Sequence, residues 1–231
     1  MTAELQPAYI LHTRPYRDTS MLVDFLTPDF GRITAVARGV RSRKTPKRNL
    51  LNPFTRLLIS FQGKTDLKLL TQFEAEGEHF ALTAKHLFSG FYLNELLVRL
   101  LPEWDAQPTI YALYEQSLQA LSGQQDLEPV LRVFEFQLLQ ELGYGIDFEV
   151  DAKSGEIISS HANYCLDPSH GVYLAQADVP LNFQFSGLHI HAIAQRDFAL
   201  PEVRQTAKRL SRILLKPLLG TKPLMSRELF S

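Results

Sequence analysis

Through the first 75 positions apolar residues sit in short runs of five to nine, and beyond them they recur every three to four residues. AYILHTR, SMLVDFLT, RITAVARGV, FTRLLISF and LKLLTQFE are rich in Val, Ile, Leu, Phe and Thr. RPYRD, TPDFG, a basic segment and QGKTD separate them as turn signals. Short strands with little helix between them predict a small barrel or sandwich. In RITAVAR, alternation sets Arg32, Thr34, Val36 and Arg38 on one face and Ile33, Ala35 and Ala37 on the other. TPDFGR reads as a hairpin turn in which Gly31 supplies a permissive backbone.

From about Ala81 the period is helical. LTAKHLFSGFYLNELLVRLLP predicts a helix ending near Pro102. PTIYALYEQSLQALSG and EPVLRVFEFQLLQELGYG each open with Pro and close with Gly, the expected start and stop residues. Joined by short links, these helices predict a bundle, with Trp104 as an anchor. Residues 147–185 mix turn residues with short apolar runs and read as an irregular, partly β excursion. Helix returns at SGLHIHAIAQRDF and PEVRQTAKRLSRILLKPLLG. The pattern makes an α+β protein, with residues 1–78 a β domain and 79–231 mainly helical.

Charge changes this picture. The 231-residue chain has 24 basic and 25 acidic side chains, a formal charge of -1. Yet residues 1–73 hold 12 basic and 5 acidic groups, residues 74–156 hold 4 and 15, and the rest hold 8 and 5. A neutral total hides a basic head and an acidic middle, which bears on partners rather than on fold. Arg32, Arg38, Arg41, Arg43, Lys44, Lys47 and Arg48 crowd between Gly31 and Arg48 with no acidic residue among them. The segment RSRKTPKRN has no core residue and carries Pro46, so it reads as a basic loop or arm. A second basic feature lies in the last helix, where Arg204, Lys208, Arg212 and Lys216 recur every fourth residue. Val203, Ala207, Leu210 and Leu214 form its opposing apolar stripe. That basic stripe is either a solvated face or a phosphate-binding one.

Catalytic chemistry is not advertised. There is no phosphate-cradling glycine loop. The DFG at 29–31 lacks kinase surroundings and reads as a turn. His161, Cys165 and His170 share one loop, but no paired CxxC unit accompanies them, so no metal or other cofactor is expected. A single cysteine allows no internal disulfide and fits a reducing compartment. Neither a signal peptide nor a run of about 20 apolar residues is seen, so the expectation is a cytoplasmic protein without a membrane partner. Basic residues beside strands point to nucleic acid, and positive charge without a base-reading motif implies backbone binding with weak sequence preference.

AYILHTRPYRDTSMLVDFLTPDFGRITAVARGVRSRK resembles the N-terminal region of the bacterial RecO family of DNA-repair proteins. FSGFYLNELLVRLL, LRVFEFQLLQELGYGIDF and LKPLLGTKPLMSREL resemble the family's first long helix, its FE…LL…LGY segment and its C-terminus. The resemblance implies an N-terminal OB-fold barrel followed by a helical domain. It implies a non-enzymatic recombination mediator, cytoplasmic and nucleoid-associated. Such a protein binds single- and double-stranded DNA, anneals strands, and helps load RecA onto DNA coated with single-strand-binding protein (SSB). RecR and the acidic C-terminal tail of SSB are the implied partners. Many members carry a four-cysteine zinc site after the GYG segment. Here Cys165 stands alone, so zinc does not carry over.

For the tail, Arg132, Phe136 and Leu139 are the expected contacts. Leu127, Leu131, Phe134, Leu138 and Leu142 make the core stripe of their helix, and Val133, Phe136 and Leu139 extend onto adjoining faces. Spacing alone equally lets Arg132 pair with Glu128 or Glu135. Apart from the resemblance, an RNA-binding factor or a protein adaptor without nucleic-acid affinity remains an alternative.

Overall fold

A computed structural model of the chain describes residues 2–42 and 50–230. The alternating N-terminal runs form β1 (Thr2–Tyr16), β2 (Ser20–Thr27), β3 (Gly31–Ala37), β4 (Thr55–Gln62) and β5 (Lys68–His79). They close into a barrel in the order β1-β2-β3-β5-β4. β3 and β5 run parallel, with Ala35 opposite Lys68, and the other neighbours are antiparallel. β1 reaches two partners because its register shifts twice, between Ala3 and Gln6 and between Ile10 and His12. Such bulges bend a strand and let a five-stranded ring close.

Every second residue points inward. Ile10, Val23, Phe25, Ile33, Leu57, Ile59 and Phe61 fill the barrel, with Ala8, Ala35 and Ala37 making room for the phenylalanine rings. Each large side chain buried this way stabilises the fold by about 1.5–3 kcal/mol. Phe30 packs edge-on against Phe61 with ring centres 5.4 Å apart. Trp104, expected to anchor a helix bundle, instead packs on the barrel core, 5.9 Å from Phe61 and 4.3 Å below the Lys68 ammonium. The cause is local: the Trp104 amide donates to the Arg32 carbonyl at 3.0 Å, which lays residues 103–105 along β3. Gly31, with φ +64°, is forced by this approach, since a Cβ there would lie 1.7 Å from the Asp105 carbonyl oxygen.

The outer face of β1 is also apolar, and it draws in the first two helices. These are α1 (Ala84–Leu100) and α2 (Pro108–Ser122). The Tyr9 ring stacks on Tyr111 and Tyr114 at 5.4 and 5.3 Å. Its hydroxyl donates to Glu115 at 2.6 Å, and burial pushes its pKa upward. Asn94 donates to the Leu11 carbonyl and accepts from Tyr114, a fully buried polar link between helix and strand. At the far end of the chain, Glu95 on α1 accepts from the Met225 and Ser226 amides and the Ser226 hydroxyl. These bonds to its ionised form hold its carboxyl below the usual range, against the desolvation that would raise it.

Contacts therefore group Met1–Gln125 with Pro223–Ser231, and Asp126–Lys222 as a second unit. This division differs from the change of sequence period at residue 79. Helical period marks how α1 and α2 fold locally. The apolar outer face of β1 decides what they pack against.

The second unit is built on α3 (Leu127–Glu141), α4 (Gly187–Ala194) and α5 (Pro201–Leu219). Its excursion contains a small sheet of β6 (Asn163–Asp167), β7 (Gly171–Leu174) and β8 (Phe185–Ser186), in the order β7-β6-β8. Cys165 is buried in β6 opposite Tyr173, whereas His161 and His170 are exposed. Asp151 organises the preceding turn. Its carboxylate, 4% exposed, accepts from the amides of Lys153, Ser154 and Leu174 at 2.8, 3.0 and 2.6 Å.

Between α3 and α5 lies a buried ion pair. Arg132, 4% exposed, donates through Nη1 to Ser211 at 2.7 Å and lies 2.6 Å from Glu135, itself 1% exposed. Removing one member of such a pair strands a charge in the interior. Arg132→Ala is expected to cost about 3–5 kcal/mol in urea unfolding, whereas Arg132→Met with Glu135→Leu should cost far less. A loss below about 1 kcal/mol for the single variant would mean that the pair is solvated.

Candidate nucleic-acid interface and the α3 cleft

The sequence singled out cations by number. The structure sorts them by what they already hold. On β3, Arg32 is committed: it donates to the Leu101 carbonyl and to Glu103, both at 2.9 Å, and its side chain is largely covered. Residues 101–105 pass over that part of β3 and engage the Arg32 Nε and Nη1 donors. Arg38 and Arg41 follow the end of β3 and are exposed. The Arg41 amide donates to Thr19 and its guanidinium to the Arg17 carbonyl, both in the β1–β2 turn. This fixes where the basic segment leaves the barrel. Arg43, Lys44, Lys47 and Arg48 lie outside the described residues.

Beside this exit the outer barrel face carries a polar ladder across three strands. Asp24 on β2 is buried and accepts from Arg14 at 2.8 Å and from Thr34 at 2.6 Å, with His12 at 3.5 Å. Desolvation would raise its carboxyl pKa, but hydrogen bonds from His12 and Thr34 and the charge of Arg14 outweigh burial and hold it low. Arg14 is thereby neutralised locally. Alternation could have suggested the ladder, since His12, Asp24 and Thr34 occupy facing positions.

The basic stripe of α5 also divides. Arg204 donates to Asp126 at 2.6 Å and to the Phe198 carbonyl, and Lys208 donates to Glu128 at 2.7 Å. Both help to hold α5 to the start of α3, while their side chains stay partly exposed. Arg212 and Lys216 are exposed, and among the described residues neither pairs with a carboxylate. Arg209 joins them on the outward side, a residue the four-residue spacing passed over. Packing of α3 against α5 brings Asp126 and Glu128 to Arg204 and Lys208, and sequence spacing does not reveal such a long-range pairing.

Phe136 and Leu139 line a cleft of about 380 Å³ together with Val133, Ile146, Phe148 and Phe198. Phe136 meets Phe148 edge-on at 5.3 Å. Leu139, expected on a face adjoining the core stripe, is almost fully buried where it lines the cleft. Arg132 is absent from the lining, because Glu135 and Ser211 hold it on the α5 side of its helix. It is therefore not the cation at this cleft. Arg196, exposed after the last turn of α4, takes that place, and Glu141, Asp147 and Glu149 also line the cleft. Among the described residues no three His, Cys, Asp or Glu side chains converge as metal ligands, and no helix is long and apolar enough to cross a membrane.

Comparison with known proteins covers nearly the whole chain. Residues 1–77 match the family model described as recombination protein O N terminal, and residues 83–228 match recombination protein O C terminal. A DNA repair protein RecO of Cellvibrio japonicus is 54% identical over 231 residues, covering 100% of this chain and 98% of that protein. Proteins of the same name from Haemophilus influenzae and Pseudoalteromonas atlantica are 44% and 43% identical, again over 100% of this chain and over 97% and 95% of their own lengths. Matched from end to end by two family models and by relatives of one name, the chain belongs to the RecO family of DNA repair proteins.

Proposed function

We propose that this chain is a non-enzymatic recombination mediator that binds single- and double-stranded DNA, anneals strands, and with RecR helps load RecA onto SSB-coated DNA. The observation that carries the DNA part is the exit from β3. Arg38 and Arg41 are exposed there, and the sequence continues through four more cations and no carboxylate to Arg48. The barrel supports an OB-fold reading, since a five-stranded closed ring with one parallel neighbour pair is how that fold is laid out, and OB-folds bind oligonucleotides. Family membership supports the repair role. A cytoplasmic, nucleoid-associated location follows from the same reading.

Phosphate contacts without base readout bind by releasing counterions, so affinity falls with salt. Replacing Arg43, Lys44 and Lys47 with Ala is expected to lower the slope of log affinity against log salt by about 2 on single strands, at ~0.7 per phosphate, and to weaken all sequences alike. Fluorescence anisotropy across a salt series measures this. An unchanged slope would remove the segment from the interface, and equal or tighter binding of matched RNA would favour an RNA-binding role.

The SSB tail we assign to the α3 cleft, with Phe136 and Leu139 receiving its hydrophobic end and Arg196 its terminal carboxylate. Glu141, Asp147 and Glu149 would repel the acidic part of the tail, so only its last residues enter. Arg196→Ala and Phe136→Ala should each weaken a labelled tail peptide at least tenfold, about 1.4 kcal/mol, and leave naked DNA binding within twofold. Parent-like affinity in Arg196→Ala, an exposed position where folding is not at stake, would contradict the assignment.

A further inference from the structure

The second unit carries an apolar, aromatic surface that the reading above does not use. Leu181, Phe183 and Leu188 are 77%, 62% and 57% exposed within eight residues of chain. They are not on a loose loop. Leu181–Phe183 is a 3-10 turn closed by the Phe183 amide on the Pro180 carbonyl and the Gln184 amide on the Leu181 carbonyl. The Gln184 side chain adds a bond to the Val179 carbonyl at 2.7 Å. Arg209 of α5 fastens the turn from the other side, donating to the Asn182 carbonyl and lying 4.5 Å over the Phe185 ring. The turn is thus fixed by hydrogen bonds while the Phe183 ring and Leu181 face water, at a cost that the unit's own packing does not explain.

Beside it runs uncompensated positive charge. Arg209, Arg212 and Lys216 follow one another at intervals of three and four along the outward side of α5, spanning about 10 Å of helix. Among the described residues none of the three pairs with a carboxylate, whereas Arg204 and Lys208 on the adjoining stripe both do. The acidic residue lining the cleft at Phe185, His189 and Arg209 is Glu202, about two turns before Arg209 on α5. An exposed aromatic on a turn tied to a helix that carries cations without carboxylate partners suits single-stranded nucleic acid: a base stacks on the ring while phosphates meet the cations. A duplex hides the faces of its bases and gains only from the charge.

We propose that Phe183, presented by the 181–183 turn that Arg209 ties to α5, is a base-stacking platform that gives this unit a preference for single-stranded over double-stranded DNA, with Arg212 and Lys216 further along the same helix meeting the phosphates. This rests on the DNA-binding reading and adds to it a residue, a mode of contact and a strand preference that the basic segment after β3 does not supply.

The test is a comparison of the full chain with Phe183→Ala and Phe183→Tyr, titrated against a single-stranded oligonucleotide, the same sequence as a blunt duplex, and a single strand of equal length made wholly of abasic sites. Phe183→Ala should weaken the normal single strand about tenfold, leave the duplex within twofold, and leave the abasic strand, which has no bases to stack, within twofold. Phe183→Tyr should restore parent affinity. Equal losses on single strand, duplex and abasic strand would overturn the proposal, as would no loss on any of them. Absence of DNA binding by the parent itself would overturn the DNA-binding reading as well, which distinguishes the two failures.

Discussion

Whether a cation already has a carboxylate within hydrogen-bonding reach governs most of what this chain can do with its charge. A cation held at 2.6–2.9 Å by an internal carboxylate is already charge-compensated, and a phosphate would have to compete with that native contact. Arg32 with Glu103, Arg14 with Asp24, Arg204 with Asp126 and Lys208 with Glu128 belong to this class. Arg132 with Glu135 is its extreme, sealed between α3 and α5. These pairs fasten the barrel to the strap after α1, and α3 to α5. Arg38, Arg196, Arg209, Arg212 and Lys216 have no such pairing among the described residues, and the proposed surfaces are built from them.

This sorting explains which parts of the molecule were legible in the sequence. Alternation in RITAVAR placed Ile33, Ala35 and Ala37 inside the barrel, because strand period and burial obey one rule when a single face is apolar. Pro and Gly punctuation placed α2 nearly to the residue. The failures share a different cause. Arg204 and Lys208 looked available because helical spacing reports a residue's neighbours along its own helix, whereas their partners Asp126 and Glu128 come from 75 or more positions away in the chain; Arg132 instead takes Glu135, one of the two local pairings its spacing allowed. Trp104 was misplaced for the same reason, since nothing in LPEWDAQP says that its amide will pair with Arg32. Arg209 and Phe183 were passed over because each is ordinary alone, and only the bond from Arg209 to Asn182 brings them together.

The acidic middle of the chain loses some of its mystery on the same terms. Asp126, Glu128 and Glu135 are consumed by cations from α3 and α5, and Glu115 and Glu76 hold Arg56 beside the Tyr9 hydroxyl. Much of that negative charge is internal ballast for positive charge elsewhere. Glu141, Asp147 and Glu149 stay outward and line the α3 cleft.

The central claim, that only unpaired cations meet phosphate, is tested most directly by two double variants on one helix. Arg204→Gln with Lys208→Gln removes the paired half of the α5 stripe, and Arg212→Gln with Lys216→Gln removes the exposed half. The salt dependence of single-stranded DNA binding is measured for both. The account predicts an unchanged slope for the first and a slope lower by about 1.4 for the second, at ~0.7 per phosphate. Equal reductions in the two, or a larger one in the first, would contradict it.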